Sequence, residues 1–370
     1  MTAPAAQVRK PRILWLEALR IIAAFLVIVN HTNSAVFQQS DPARLTWHLS
    51  ILWYYLSKTA VPLYVMITGA VMLSRQDGLK KTLQRVLRVL IALFCASYVY
   101  FLYDAWVNWG LWPRAFRLDI LLGQILRMEV TDGFWYLYFY LAVLITMPLW
   151  QWLHKRMTQL QRLNLVAFCF ALNAALPLIG HYVPRLSLLD NPVLPYVPLG
   201  YLGLLFAGDQ VAHHLKVRRN TGWIAAAVLI ASLLAAWLLT WLEFHRVAPG
   251  EKYWFMDHRM VPALPVICGA IAMMTLAKCM AERRQGTAEP PVARQTSAGG
   301  RIIAELGGCA FGIYLLQDLL IAETEHRLFA PLCALMPPMA AVVLWEAAVF
   351  AAALLIVWIL RRIPFVRSIL

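Results

Sequence analysis

Charge is scarce in this sequence. Asp, Glu, Lys and Arg make up 14% of its 370 residues, hydrophobic residues make up 61%, and the mean hydropathy is +0.63. A soluble domain carries about 25% charged residues, so water is not the solvent for most of this chain. Acids are scarcer still, with 19 Asp and Glu against 33 Lys and Arg for a net charge of +14. Such a balance points to nucleic acid only when the basic residues gather on one face. Here they are dealt out between apolar runs, which argues for no nucleic-acid partner and makes their placement a record of topology. Also missing is the apolar/polar alternation that a membrane barrel requires; with every backbone amide needing an internal partner in lipid, helices are what remains. Cysteine is sparse and unpatterned. Cys95, Cys169, Cys268, Cys279, Cys309 and Cys333 stand singly, with neither metal-ligand spacing nor a disulfide framework, so they read as packing residues and no metal is expected. No internal repeat is visible, which removes one signature of inverted-repeat transporters.

What the sequence does have is a series of apolar runs of about 20 residues, the length that crosses a bilayer as a helix. They lie near 13–37, 48–73, 83–108, 133–152, 161–180, 194–214, 221–243, 258–280, 302–325 and 336–360. The expected fold is therefore all-α, a polytopic membrane helix bundle of about ten transmembrane helices in one integral-membrane domain, 1–370. The first run is too long for a signal-peptide core and lacks a small-residue cleavage site, so it reads as a retained span. With the N-terminus inside, 22 Lys and Arg fall in inner segments and 9 in outer ones. The positive-inside rule then favours both termini cytoplasmic, and the expected location is the cell inner (plasma) membrane, as a multi-pass protein. Residues 1–12 form a cytoplasmic tail, and 281–300, rich in Pro, Gly and polar residues, read as a flexible cytoplasmic loop. Residues 111–132 mix Leu and Ile with Arg at helical spacing and suit a helix lying along the outer face.

Ionisable groups inside spans are costly and so mark function. The first span, WLEALRIIAAFLVIVNH, carries Glu17, Arg20 and His31. At about 100° per residue the step from Arg20 to His31 returns to within about 20° of the same face, and Glu17 falls about 60° from Arg20. One face thus presents an acid, a guanidinium and, about 16 Å further along, an imidazole. Lys58 sits deep in the second span, whose Pro62 frees a backbone carbonyl and whose Gly69 permits close helix approach. Glu346 is equally deep in the last span and is a possible counter-ion for Lys58 or Arg20. Arg85 and Arg88 share a helical face at i,i+3 by the inner entrance; such a pair anchors topology, and its two forked guanidiniums also suit phosphates.

Taken together, these segments resemble the membrane acyltransferase-3 family, which includes bacterial integral-membrane O-acetyltransferases that decorate surface sugars. The resemblance rests on Arg-x10-His at Arg20 and His31, Arg-x-x-Arg at Arg85 and Arg88, and the second-helix segment AVPLYVMITGAVML. It extends to FWYLYFYLAVLITMPLW with Trp135 and Tyr136, and to FGIYLLQDLL around Tyr314. It runs from near residue 13 to the end. Many relatives have His where this chain has Gln317, and Asp where it has Glu17.

The resemblance implies acyl transfer from a cytoplasmic acyl-CoA, most often acetyl-CoA, to a hydroxyl of a carbohydrate or glycolipid acceptor of the cell envelope. His31 is then the general base, since an imidazole is suited to take a hydroxyl's proton near neutral pH. Arg20 holds or polarises the donor with Glu17 orienting it, Arg85 and Arg88 bind the CoA phosphates, and Lys58 stabilises the oxyanion. Trp135, Tyr136 and Tyr314 shape the substrate pocket. The rival reading is a proton-coupled transporter or flippase of a saccharide or lipid-linked saccharide, with Glu17, Arg20, His31, Lys58 and Glu346 as its relay.

Overall fold

A computed structural model describes residues 13–32, 34–75, 77–108, 117–183, 199–248, 263–285 and 297–369. The described residues are helical almost throughout, with no strand among them, and eight helices are long and apolar enough to cross a membrane. The expected all-α membrane bundle is what the chain forms.

In chain order the helices are α1 (Leu14–Thr32), α2 (Ser34–Gln39), α3 (Leu45–Ser57), α4 (Ala60–Met72), α5 (Leu79–Asn108) and α6 (Leu118–Arg127). A 3-10 turn, Asp132–Phe134, leads into α7 (Trp135–Arg156). Then follow α8 (Gln159–Phe170), α9 (Leu176–Tyr182), α10 (Leu199–Asp209), α11 (Thr221–Arg246), α12 (Leu264–Gln285), α13 (Ala298–Thr324), α14 (Ala330–Leu335), α15 (Pro338–Leu360) and α16 (Pro364–Ile369).

Two expectations need correction. The run 48–73 is not one helix: it breaks at Lys58 and Thr59 into α3 and α4. Pro62 has no N–H to offer the Lys58 carbonyl, so the first helix ends there and the proline sits in the opening turn of the next, where a missing donor costs nothing. The loop expected over 281–300 is also shorter. Residues 281–285 continue α12, and 298–300 open α13, which Ser297 caps by accepting from the Gly300 amide at 3.1 Å. Residues 286–296, the tail 1–12 and 111–116 of the amphipathic segment lie outside the described residues. The rest of that segment forms α6, with Leu121 alone buried. It ends on Met128 in the left-handed conformation (φ 58°), which turns the chain sharply towards Thr131.

α1 packs along α13 and α4, α13 packs on α15, and α4 crosses α10. The α4–α10 crossing brings backbone against backbone. A Cβ at Gly69 would stand 1.9 Å from the Leu205 carbonyl oxygen, and one at Gly208 would stand 1.9 Å from that of Met66. Only glycine fits at either position, and in lipid such close approach replaces the hydrophobic drive that water would supply. Gly208→Ala is expected to cost about 1–3 kcal/mol, read as a lowered melting temperature of the solubilised protein. An unchanged melting curve would contradict the crossing.

Candidate active site

Helices α1, α4, α5, α7 and α13 enclose a cavity of about 420 Å³. Its open end is marked by the exposed side chains of Arg75 and Arg88, with Arg85 and Arg361 beside them. Further in lie Glu17 and Arg20 of α1. The Arg20 guanidinium donates to Glu17 at 2.9 Å, as the i,i+3 spacing allows. Glu17 is buried, and Gly307 of α13 makes the room for it: a Cβ there would lie 2.5 Å from Glu17 Oε2.

Arg85 and Arg88 differ in surroundings. Arg85 donates to Asp77 Oδ2 at 2.7 Å, and Lys81 adds a second cation at 3.8 Å. Asp77 is tethered in turn by its own amide, which donates to Gln151 Oε1 at 3.4 Å. Burial pushes the Asp77 carboxyl upward, but the Arg85 hydrogen bond and the charges of Arg85, Lys81 and Arg75 outweigh it and hold the carboxyl below its ordinary value. The Asp77–Arg85 pair is therefore intact at neutral pH and lost only as acidification passes that lowered value. No carboxylate pairs with Arg88 among the described residues.

The inner wall is aromatic. Tyr136 stacks on Tyr140 with centroids 6.0 Å apart and meets Tyr314 edge-on at 5.8 Å and Tyr64 at 6.1 Å. The Tyr64 hydroxyl donates to the Arg20 carbonyl at 3.4 Å, and the Tyr314 hydroxyl donates to the Gly133 carbonyl. On α13, Tyr314 falls seven residues past Gly307, which touches Glu17, and four before Asp318. The ring layer thus stands between the Glu17–Arg20 pair and whatever faces Asp318.

What faces Asp318 is His31. Its Nδ1 lies 3.4 Å from Asp318 Oδ1, and the imidazole is 26% exposed, so it is not sealed in the core. Thr131 donates to the other carboxylate oxygen at 2.9 Å. Gly133 sits so close that a Cβ there would be 2.2 Å from Asp318 Oδ2. The turn after α6 thereby fixes the carboxylate, which faces one nitrogen of the ring.

The family model described as an acyltransferase domain matches residues 13–362. The chain belongs to that family. Comparison with curated proteins and with solved structures gives no match. This acyltransferase is a multi-pass membrane protein, and the match spans nearly all of it.

The acyltransferase brings Glu17, Arg20, Arg85, Arg88, Tyr136 and Tyr314 into the one cavity. His31 does not line it; the imidazole lies on the far side of the ring layer. Lys58, at the break between α3 and α4, places its ammonium 4.5 Å from the Tyr54 ring centre. Trp135 packs against Tyr136, Phe139 and Tyr201, outside the cavity. Glu346 accepts from Thr32 at 2.7 Å and Trp53 at 2.9 Å, while Arg20 has Glu17 as its counter-ion. Gln317 is fully buried and does not line the cavity; its neighbour Asp318 is the residue turned towards His31.

Sequence reasoning passed over Asp318, Asp77, Tyr64 and Arg361. For Asp318 a signal existed: it is four residues after Tyr314 and so shares its helical face.

Proposed function

We propose that this acyltransferase moves an acyl group, acetyl in the first instance, from cytoplasmic acyl-CoA to a hydroxyl of a cell-envelope sugar or glycolipid. The supporting observation is a cavity with Arg75, Arg85, Arg88 and Arg361 at its open end and Arg20 deeper in, and, beyond its tyrosine wall, a histidine that faces a carboxylate. Guanidiniums at the mouth suit the donor's phosphates. The spacing of about 16 Å from Arg20 to His31 along α1 suits its extended arm.

In this reading the acceptor hydroxyl adds to the thioester carbonyl as His31 takes its proton. The tetrahedral oxyanion is stabilised by a cationic side chain, with Lys58 assigned to that task, while Arg20 holds the donor further along α1. Collapse breaks the carbon–sulfur bond, and the thiolate of CoA leaves with the proton that His31 returns. Asp318 acts through His31 as a positioning residue, holding the ring so that its other nitrogen meets the hydroxyl. In this reading the arginine mouth opens to the cytoplasm, with both termini on that side of the inner membrane, and the bias of Lys and Arg supports that orientation.

The test uses membranes, labelled acetyl-CoA and the Arg85→Gln/Arg88→Gln double variant. Label is expected to appear in envelope glycans with the wild type. In the double variant the donor KM is expected to rise about 10- to 100-fold, with a smaller change in kcat. An unchanged donor KM, or no label transfer by the wild type, defeats the reading.

A further inference from the structure

Arg361 and Arg362 follow the last long helix, α15, and by position both are topology anchors. Their side chains part company. Arg362 is exposed and lies over the Trp358 ring at 4.2 Å, the posture of a residue at the edge of a membrane. Arg361 turns inward to the cavity. Its Nη1 donates to the Glu305 carbonyl at 3.0 Å and lies 3.4 Å from Cys309 Sγ, both on α13. Gly308 gives it a seat: a Cβ there would stand 2.6 Å from that nitrogen. Its Nε is buried with no hydrogen-bond partner.

The other guanidiniums of the cavity are unequal in charge balance. Glu17 neutralises Arg20 and Asp77 neutralises Arg85. Among the described residues no carboxylate pairs with Arg361, with Arg88 or with Arg75, and of these three Arg361 alone has its guanidinium seated against another helix. A seated, uncompensated guanidinium facing a cavity is a site for an anion. Arg88 projects from α5 and Arg361 from the end of α15, so they approach the cavity from two different helices, an arrangement that suits a ligand with more than one anionic group. CoA has this form, a diphosphate along its chain and a phosphate on the ribose 3′-oxygen.

We propose that Arg361 forms a second anion subsite that takes the ribose 3′-phosphate of the donor, apart from the diphosphate at Arg85 and Arg88. This rests on the acyl-CoA reading above. Selection of CoA over its 3′-dephospho form is then set at the end of α15.

The test titrates the purified protein in nanodiscs with CoA and with 3′-dephospho-CoA, after a melting curve has shown each variant to be assembled. Wild type is expected to prefer CoA by about tenfold. Arg361→Gln should weaken CoA by about that factor, leave dephospho-CoA unchanged and so erase the preference, while Arg362→Gln matches wild type. Equal weakening of both ligands by Arg361→Gln, no effect on either, or the same effect from Arg362→Gln overturns the subsite. Should Arg361→Gln not assemble, Arg361→Lys decides, because it keeps the charge but loses the fork: an undiminished preference for CoA overturns the subsite. Wild type that binds neither ligand overturns the donor reading itself, an outcome distinct from all of these.

Discussion

His31→Ala is expected to reduce acyl transfer by about 10²–10⁴-fold, the range that a positioned general base supplies, while CoA binding and the melting temperature stay at wild-type values. The separation of effects follows from the geometry. The imidazole lies outside the arginine-lined cavity, beyond the tyrosine layer, so its removal leaves every group assigned to the donor in place. Transfer of label from acetyl-CoA at close to the wild-type rate would remove His31 from the chemistry. A parallel loss of CoA affinity would instead make it part of the fold.

The second large effect is expected at Asp318. Asp318→Asn keeps the shape that Thr131 and Gly133 grip but removes the charge facing His31. A carboxylate in this position keeps the ring oriented and stabilises the imidazolium that forms as the hydroxyl attacks. In a tightly bonded pair its loss costs about 10⁴ in kcat. The separation here is 3.4 Å, so a fall of roughly 10²-fold is expected. The fall should appear in kcat with donor KM unchanged. A variant that raised donor KM, or that melted at a lower temperature in proportion to its lost activity, would show Asp318 to be merely structural.

The division between what was legible in the sequence and what was not follows the range of the contacts. The Glu17–Arg20 pair is local, three residues apart on one helix, and periodicity alone places it. Apolar runs of bilayer length place most of the helices in the same way. The break in the run 48–73 was hinted at by Pro62, but its position at Lys58 depends on which carbonyl the proline leaves without a donor. Asp77 pairs with Arg85 across the turn between α4 and α5, and turn geometry is not periodic. Asp318 meets His31 across nearly three hundred residues, and Arg361 reaches the cavity only because Gly308 of another helix lets it in. Arg361 and Arg362 read alike in the sequence as orientation signals, and nothing local distinguishes the exposed Arg362 from its inward-turned neighbour.

The packed rings of Tyr64, Tyr136 and Tyr314 have a consequence beyond the reaction. A bilayer protein with an unbroken file of water from a basic vestibule to a histidine in the opposite leaflet would leak protons and run down the electrochemical gradient that powers the cell. Aromatic packing between the two polar compartments interrupts such a file, so the enzyme can idle without discharging the membrane.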